Sequence, residues 1–319
     1  MNFINGLNEF QIANASDDFP LALAIGMFDG VHLGHQEVIS FTKKKSQELS
    51  SKSKCAVFTF DKHPASIFRP EAKPDLIYPL DKRIECLEAS GVDYVFVIDF
   101  DPVLCRLSAR DFISTLTRTL PNLKEICVGR DFGFGHRREG DIEKLKEFSN
   151  TFQFKAHEVP AFQLDNQNIS STLIRDHIKN GLLDKASALI GRQLTISGKV
   201  IKGRQVGRTI GFPTANIDAK GLCLPPFGVY SGFCTIGDRK TLRLPAIMNI
   251  GLRPTISAGD TIDAPSLEVH IPDFNKNIYG ENLEFSYDQF IRSEIKFRSL
   301  EDLKSQIEKD IQSIKSLEN

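Results

Sequence analysis

The order of apolar and polar positions divides the chain into two textures. In the first half, short continuous apolar runs alternate with polar, helix-spaced stretches. Residues 21–28 (LALAIGMF) form a run of the kind that a parallel strand buried on both faces requires. Residues 55–60 (CAVFTF), 94–100 (YVFVIDF) and 125–132 (EICVGRDF) repeat it. Between them, helical spacing covers about 35–50, 81–90 with Gly91 as its C-cap, and 108–120 with Ser108 as its N-cap. This β-α-β-α order predicts a parallel sheet with helices on both faces. From about 194 to 290 the pattern becomes short alternating strands separated by Gly, Pro and Asp turns, which predicts a closed antiparallel barrel or sandwich. Apolar residues at Leu300, Leu303, Ile307 and Ile311 then predict a C-terminal helix, with Ser299 and Asp302 as a capping pair. The helix-spaced residues 173–191 are expected to bridge the halves, giving domains at 1–185 and 186–319.

A chain of 319 residues fits two domains, and its composition (41% hydrophobic, 25% charged) is that of a folded globular protein. The 40 Lys and Arg nearly balance the 41 Asp and Glu, for a net charge of −1. No overall field draws such a chain onto nucleic acid or an anionic membrane, so any phosphate must be held by local geometry. No segment approaches the roughly 20 apolar residues of a membrane span. The first ten residues lack the basic and apolar regions of a secretory signal. Six scattered cysteines, with no C-x-x-C pair, read as reduced and mostly buried thiols. Together these features lead to the expectation of a cytoplasmic protein, with neither membrane nor nucleic acid as partner. Nothing in the sequence signals an oligomeric state.

The sharpest local feature is G-M-F-D-G-V-H-L-G-H, residues 26–35. A buried strand ends near Phe28, glycines keep the turn bare, and a helix begins near His35. Unpaired N–H groups and the helix dipole make such a strand–turn–helix junction an anion site. His32 and His35, three apart, can face one phosphate together and neutralise charge that grows on it. Two structural histidines beside a turn are the plainer reading; zinc has too few ligands here. The turn is neither a Walker A loop nor the dinucleotide fingerprint. Further on, Ser170, Ser171 and Thr172 offer hydroxyls and N–H groups at a helix start, with Arg175 one turn later. Ser170 as a simple N-cap and Arg175 as a solvated charge are the alternatives.

The G-x-F-D-G-x-H-x-G-H pattern resembles the superfamily of nucleotidyltransferases that transfer an NMP unit from an NTP. Three more segments, T-F-D-K-H-P (59–64), V-G-R-D-F-G-F-G-H-R-R-E-G (128–140) and I-S-S-T-L-I-R (169–175), resemble the adenylyltransferase half of prokaryotic bifunctional FAD synthetases. The resemblance implies a Rossmann-like nucleotidyltransferase domain. It implies that His32 and His35 bind ATP phosphates within a site that includes Gly26, Phe28, Asp29 and Gly30. Ser171, Thr172 and Arg175 would hold the triphosphate. His63, Pro64 and the Phe134–Arg138 loop would line the flavin side.

In the second half, residues 198–216 (GKVIKGRQVGRTIGFPTAN) form a basic stretch punctuated by Gly198, Gly203, Gly207 and Gly211, which reads as a loop able to wrap a polyphosphate. A surface hairpin with a solvated basic face is the alternative. Thr214 and Asn216 are two apart, so on an extended strand they point the same way with hard oxygen donors suited to Mg²⁺. Residues 267–271 (LEVHI) alternate, placing Glu268 and His270 opposite Leu267, Val269 and Ile271. If their side is the open face of the barrel, Glu268 is a candidate general base for an alcohol attacking a phosphate.

G-R-x-x-G-x-P-T-A-N (which takes in Arg208 and Pro213), L-P-P-F-G-V-Y, N-I-G-L-R-P-T, L-E-V-H and F-I-R-S-E-I-K-F-R-S-L-E-D-L are together similar to riboflavin kinases. That resemblance implies a small Greek-key barrel with a C-terminal helix. It implies that Thr214 and Asn216 ligate Mg²⁺ and ATP phosphates, Glu268 takes the proton of the ribityl 5′-hydroxyl, and Arg292 flanks the flavin. The implied substrates are riboflavin, FMN and ATP, with FAD as final product. A nucleotidyltransferase of other specificity joined to an unrelated barrel is one rival, and a nucleic-acid module on the barrel is another. The second phosphate site argues against the first and the balanced charge against the second.

Overall fold

Strands whose residues are apolar on both faces need cover on both sides, and the first half of the chain provides it with helices. A computed structural model describes residues 2–5, 19–68, 70–203, 205–237, 242–252 and 265–315. The chain divides into two compact units, Met1–Leu173 and Ile174–Asn319.

The first unit contains β1 (Asn2–Asn5), β2 (Leu21–Ile25), α1 (Leu33–Leu49), β3 (Lys54–Phe60), α2 (Leu80–Ala89), β4 (Tyr94–Ile98), α3 (Ala109–Thr119), β5 (Leu123–Gly129), α4 (Ile142–Phe152) and β6 (Lys155–Val159). These strands form one parallel sheet in the order β1-β4-β3-β2-β5-β6. All five residues of β2 are buried. Leu21, Leu23 and Ile25 join a core with Phe58, Phe96, Ile113, Leu116 and Leu145 on one face. Ala22 and Ala24 face the other way, where α1 covers the sheet with Val38 and Ile39. Each large aliphatic side chain so buried contributes roughly 1.5–3 kcal/mol relative to exposure. The Ser108 cap forms as expected, its Oγ accepting the Asp111 N–H at 3.1 Å. A two-strand hairpin, β7 (Gln163–Leu164) and β8 (Gln167–Asn168), leads into α5 (Ser171–Lys179). The segment before Ser171 thus belongs to this hairpin and not to the parallel sheet.

The second unit begins within α5 and continues into α6 (Leu183–Ile190), so residues 173–191 form two helices that break at Gly181 in the left-handed region. Six strands follow: β9 (Thr195–Ile201), β10 (Thr214–Ile217), β11 (Gly228–Ile236), β12 (Leu244–Leu252), β13 (Pro265–His270) and β14 (Asn282–Arg292). All their pairings are antiparallel, and they close a barrel in the order β10-β13-β12-β11-β14-β9. Leu267, Met248, Ile250, Leu283 and Phe285 fill its interior with no exposure. The C-terminal helix α7 (Leu300–Lys315) starts at Ser299, whose Oγ accepts the Asp302 N–H, and lies against the outside of β11 and β12. The expected parallel sheet, antiparallel barrel and terminal helix are therefore all present. All six cysteines are free and buried. Among the described residues no helix is long and apolar enough to cross a membrane.

Candidate active sites

In the first unit the carboxyl ends of β2, β3 and β5 each open into one of the singled-out segments. After β2 the chain turns sharply: Phe28 adopts a left-handed conformation, and Gly30 follows at φ 80°, where a Cβ would come within 3.0 Å of the Ile77 side chain. Asp29 is 1% exposed, and its carboxylate accepts the N–H groups of Ile77 (3.0 and 3.1 Å) and Tyr78 (3.2 Å). It thereby ties the turn to the chain that enters α2. That carboxylate is thus engaged within the fold.

His32 is the N-cap of α1, with Nδ1 accepting the His35 N–H at 3.3 Å. The two imidazoles stack with centroids 3.6 Å apart and an interplanar angle of 17°. The Phe28 ring stands edge-on to His35 at 5.2 Å, behind the pair. Two rings stacked at the N-terminus of a helix place imidazole nitrogens where an anion is already favoured. Ser171 Oγ donates to the Asp29 carbonyl at 3.0 Å, so the start of α5 lies beside the same turn. Ser170 Oγ accepts the Leu173 N–H as an ordinary cap, Thr172 is exposed, and Arg175 is buried one turn along α5.

After β3, His63 Nδ1 accepts the Ala65 N–H at 3.1 Å, and Pro64 beside it is half-buried. Phe134 and Gly140 exchange backbone hydrogen bonds at 2.9 and 3.0 Å, closing the loop after β5. The Phe134 ring packs into the core against Phe132 and Phe112, so its face supports the loop from beneath. Arg138 is exposed and donates to the Asp131 carbonyl at 2.8 Å.

In the second unit, β-sheet register assembles the site. One cross-strand row runs Ile201–Asn216–Glu268–Asn249–Val229–Arg292, and the next contains Thr214, His270 and Ile247. Directly opposed residues share a face. Because Leu267 and Val269 fill the interior, Glu268 and His270 stand on the outer wall. There α7 and the chain leading into it enclose a cavity of about 230 Å³, lined by Thr214, Asn249, Glu268, His270, Arg292 and Phe297 among others. Thr214 Oγ1 donates to Glu268 Oε2 at 3.4 Å, and His270 Nδ1 lies 2.9 Å from the Pro213 carbonyl. Asn216 is buried, and its carboxamide occupies the space where a Cβ on Gly203 would stand, 2.4–2.6 Å from its atoms. Gly207 also lines the cavity. Gly211 adopts φ 93° in the turn before Pro213, and Arg208 lies within the short helical turn Val206–Thr209. Contrary to the expectation of a loop position, Gly198 lies inside β9 opposite Leu283, and its bareness admits the Asp218 carbonyl and the Ile217 side chain. The Arg-Pro-Thr end of N-I-G-L-R-P-T, residues 253–255, lies outside the described residues.

Three residues that sequence reasoning missed belong to these sites. Arg83 is fully buried and donates to carbonyls at the ends of β2 and β3. Asn249 faces Glu268 across the β12–β13 pair. Asp310 on α7 holds Arg292. Only Asn249 carried a signal, its place within the N-I-G-L-R-P-T motif.

A family model described as FAD synthetase matches residues 15–173, and one described as riboflavin kinase matches residues 190–317. A Haemophilus influenzae protein named bifunctional riboflavin kinase/FMN adenylyltransferase is 39% identical over 93% of this chain and 94% of its own length. An Escherichia coli K12 protein of the same name is 34% identical over 97% and 96%. A solved structure from Streptococcus pneumoniae, titled a macrolide-efflux protein, shares the fold with a TM-score of 0.77 and 28% identity over 98% of both chains.

Proposed function

The chain belongs to the bifunctional riboflavin kinase/FMN adenylyltransferase family, and from that membership we propose how its two sites divide the chemistry. The barrel unit transfers the γ-phosphoryl group of ATP to the 5′-hydroxyl of riboflavin, giving FMN and ADP. The sheet unit then lets the FMN phosphate attack the α-phosphate of a second ATP, giving FAD and pyrophosphate. The observation that carries this division is the cavity under α7, where Thr214, Glu268 and Arg292 meet on one wall. An alcohol nucleophile needs a proton acceptor; Glu294 and Asp310 also line the cavity, but Asp310 is held by Arg292, and Glu268 stands beside Thr214 on the strand wall to provide it. FMN, whose phosphate is already anionic, needs none, and the His32–His35 end of α1 offers positioning and charge neutralisation instead.

Thr214 and Asn216 share the Glu268 wall, and the bare Gly203 makes room for the Asn216 carboxamide. This hard-oxygen set fits Mg²⁺, which supplies charge neutralisation on the ATP phosphates when bound. Among the described residues no cluster of three or more His, Cys, Asp or Glu offers a competing metal site. Ser171, Thr172 and Arg175 hold the triphosphate in the adenylyltransferase; His63, Pro64 and the 134–138 loop line its flavin side. Arg292 flanks riboflavin in the kinase. The functional boundary is placed at 185/186, between the two family matches, the first ending at 173 and the second beginning at 190, whereas the compact units divide at 173/174; the enzyme works in the cytoplasm on small-molecule substrates.

Incubation of the purified chain with riboflavin and MgATP, followed by chromatographic separation of flavins, tests this reading. FMN should appear first and FAD after it; neither product forming would overturn the assignment.

A further inference from the structure

We propose that Arg83 is a positioning residue for adenylyl transfer, its guanidinium fixing the ends of β2 and β3 so that the ATP-side and flavin-side turns leave the sheet in one set relation. This inference rests on the adenylyltransferase reading of the first unit and adds to it a residue outside the substrate contacts.

Arg83 sits in the first turn of α2 and has no solvent exposure. Its Nη1 donates to the Met27 carbonyl at 2.9 Å, and its Nη2 donates to the carbonyls of Phe60 at 3.0 Å and Asp61 at 2.9 Å. Thr59 Oγ1 also donates to the Met27 carbonyl, at 3.0 Å, and lies 3.4 Å from Nη1. One planar fork thus bridges the segments in which two adjacent strands end. Met27 immediately precedes the Phe28–His35 turn, and Asp61 precedes Lys62, His63 and Pro64. Since a trans peptide is planar, a carbonyl held by Arg83 sends the following N–H the opposite way. The guanidinium therefore sets the direction in which the Phe28 and Lys62 amides point.

Stability alone is a poor reason for this arrangement. Burying a cation is expensive, and a well-packed apolar side chain often does as well. Burial does push the Arg83 guanidinium downward from its ordinary range, while the nearby Asp29 and Asp61 charges counter it. What an apolar side chain could not do is hold three carbonyls from two strands at fixed angles. The Asp29 carboxylate completes the arrangement by binding the N–H groups of Ile77 and Tyr78 just before α2, so the helix that carries Arg83 is itself moored to the ATP-side turn.

The test uses the full-length protein and the variants Arg83→Met and Arg83→Lys. Adenylylation of supplied FMN is measured against both ATP and FMN, and riboflavin phosphorylation by the same molecules serves as the internal standard. Misplacement of reacting groups by about 1 Å can cost about 100-fold. Arg83→Met should therefore lose about that factor in adenylylation kcat/KM, with KM rising for both ATP and FMN while the kinase constants stay unchanged. Arg83→Lys, which keeps the charge but not the fork, should fall between. Wild-type KM values in Arg83→Met, or a loss confined to kcat that follows the fraction of folded protein, would overturn the proposal. Should Arg83→Met melt the first unit, Arg83→Lys decides alone by whether its two KM values rise. A wild-type chain that cannot adenylylate FMN would instead sink the underlying functional reading.

Discussion

Arg292 at the end of β14 grips the Asp310 carboxylate of α7: Nε lies 3.0 and 3.1 Å from the two oxygens, and Nη2 lies 2.6 Å from Oδ2. Asp310 is 4% exposed and also accepts from Gln306 Nε2 at 2.9 Å. The residue assigned to the flavin is thus clamped by the helix that roofs the cavity. Removing one partner of a buried pair leaves the other charge stranded, at a cost of about 3–5 kcal/mol. Asp310→Ala should raise the riboflavin KM and lower the temperature at which kinase activity is lost, with FMN adenylylation retained at that temperature. Parallel heat-inactivation curves for the two activities check this.

The two proposed sites are separable by mutation. Glu268→Gln removes the proton acceptor and should reduce FMN formation by about 10²–10⁴-fold. FAD formation from supplied FMN should continue at the normal rate. The double variant His32→Ala/His35→Ala should show the reverse, since losing one preorganised donor to developing charge costs about 10²–10³ in kcat. Equal loss of both activities in either variant would contradict independent sites.

What could be read in the sequence follows the physics of each element. Strands β2 to β5 stood out because both faces are buried and their runs are continuously apolar. β6, with the sequence KAHEV, is a partly exposed edge strand and offers no such run. The turn at 26–35 was legible because its glycines and histidines follow a strand and open a helix. The period of two fixed which residues share a face with Glu268, but closure of the barrel and the docking of α7 decided that this face is the outer wall. Arg83 was invisible for a different reason. In an amphipathic helix pattern an arginine reads as solvated surface, and only the ends of β2 and β3 meeting above α2 turn it inward.

Burial also sets an alkaline limit on stability. It pushes the thiols of Cys55, Cys127 and Cys234 up to about 12 from an ordinary value of 9.0, and the Tyr230 hydroxyl to about 12 from 10.0. The folded state keeps these protons when the unfolded chain would release them. Their contribution is therefore complete below about pH 9 and is lost progressively as pH rises toward 12. Urea midpoints measured across that range should fall above pH 9, and Cys127→Ala should make the fall shallower; a flat profile would contradict the assignment.

A Cβ at position 203 would stand 2.4–2.6 Å from the Asn216 carboxamide, so Gly203→Ala must push that carboxamide from its place beside Glu268. Thr214 alone then remains on β10 to offer oxygen to Mg²⁺. The MgATP concentration that half-saturates riboflavin phosphorylation should rise by about tenfold or more, in line with the loss of one charge-assisted contact of about 1.5–3 kcal/mol. Raising free Mg²⁺ should recover part of the loss, because mass action opposes a weakened site. Adenylylation of FMN by the same variant should be unchanged. If Gly203→Ala phosphorylates riboflavin with normal MgATP dependence, Asn216 is not a metal or ATP ligand, and Thr214 alone remains of the proposed pair.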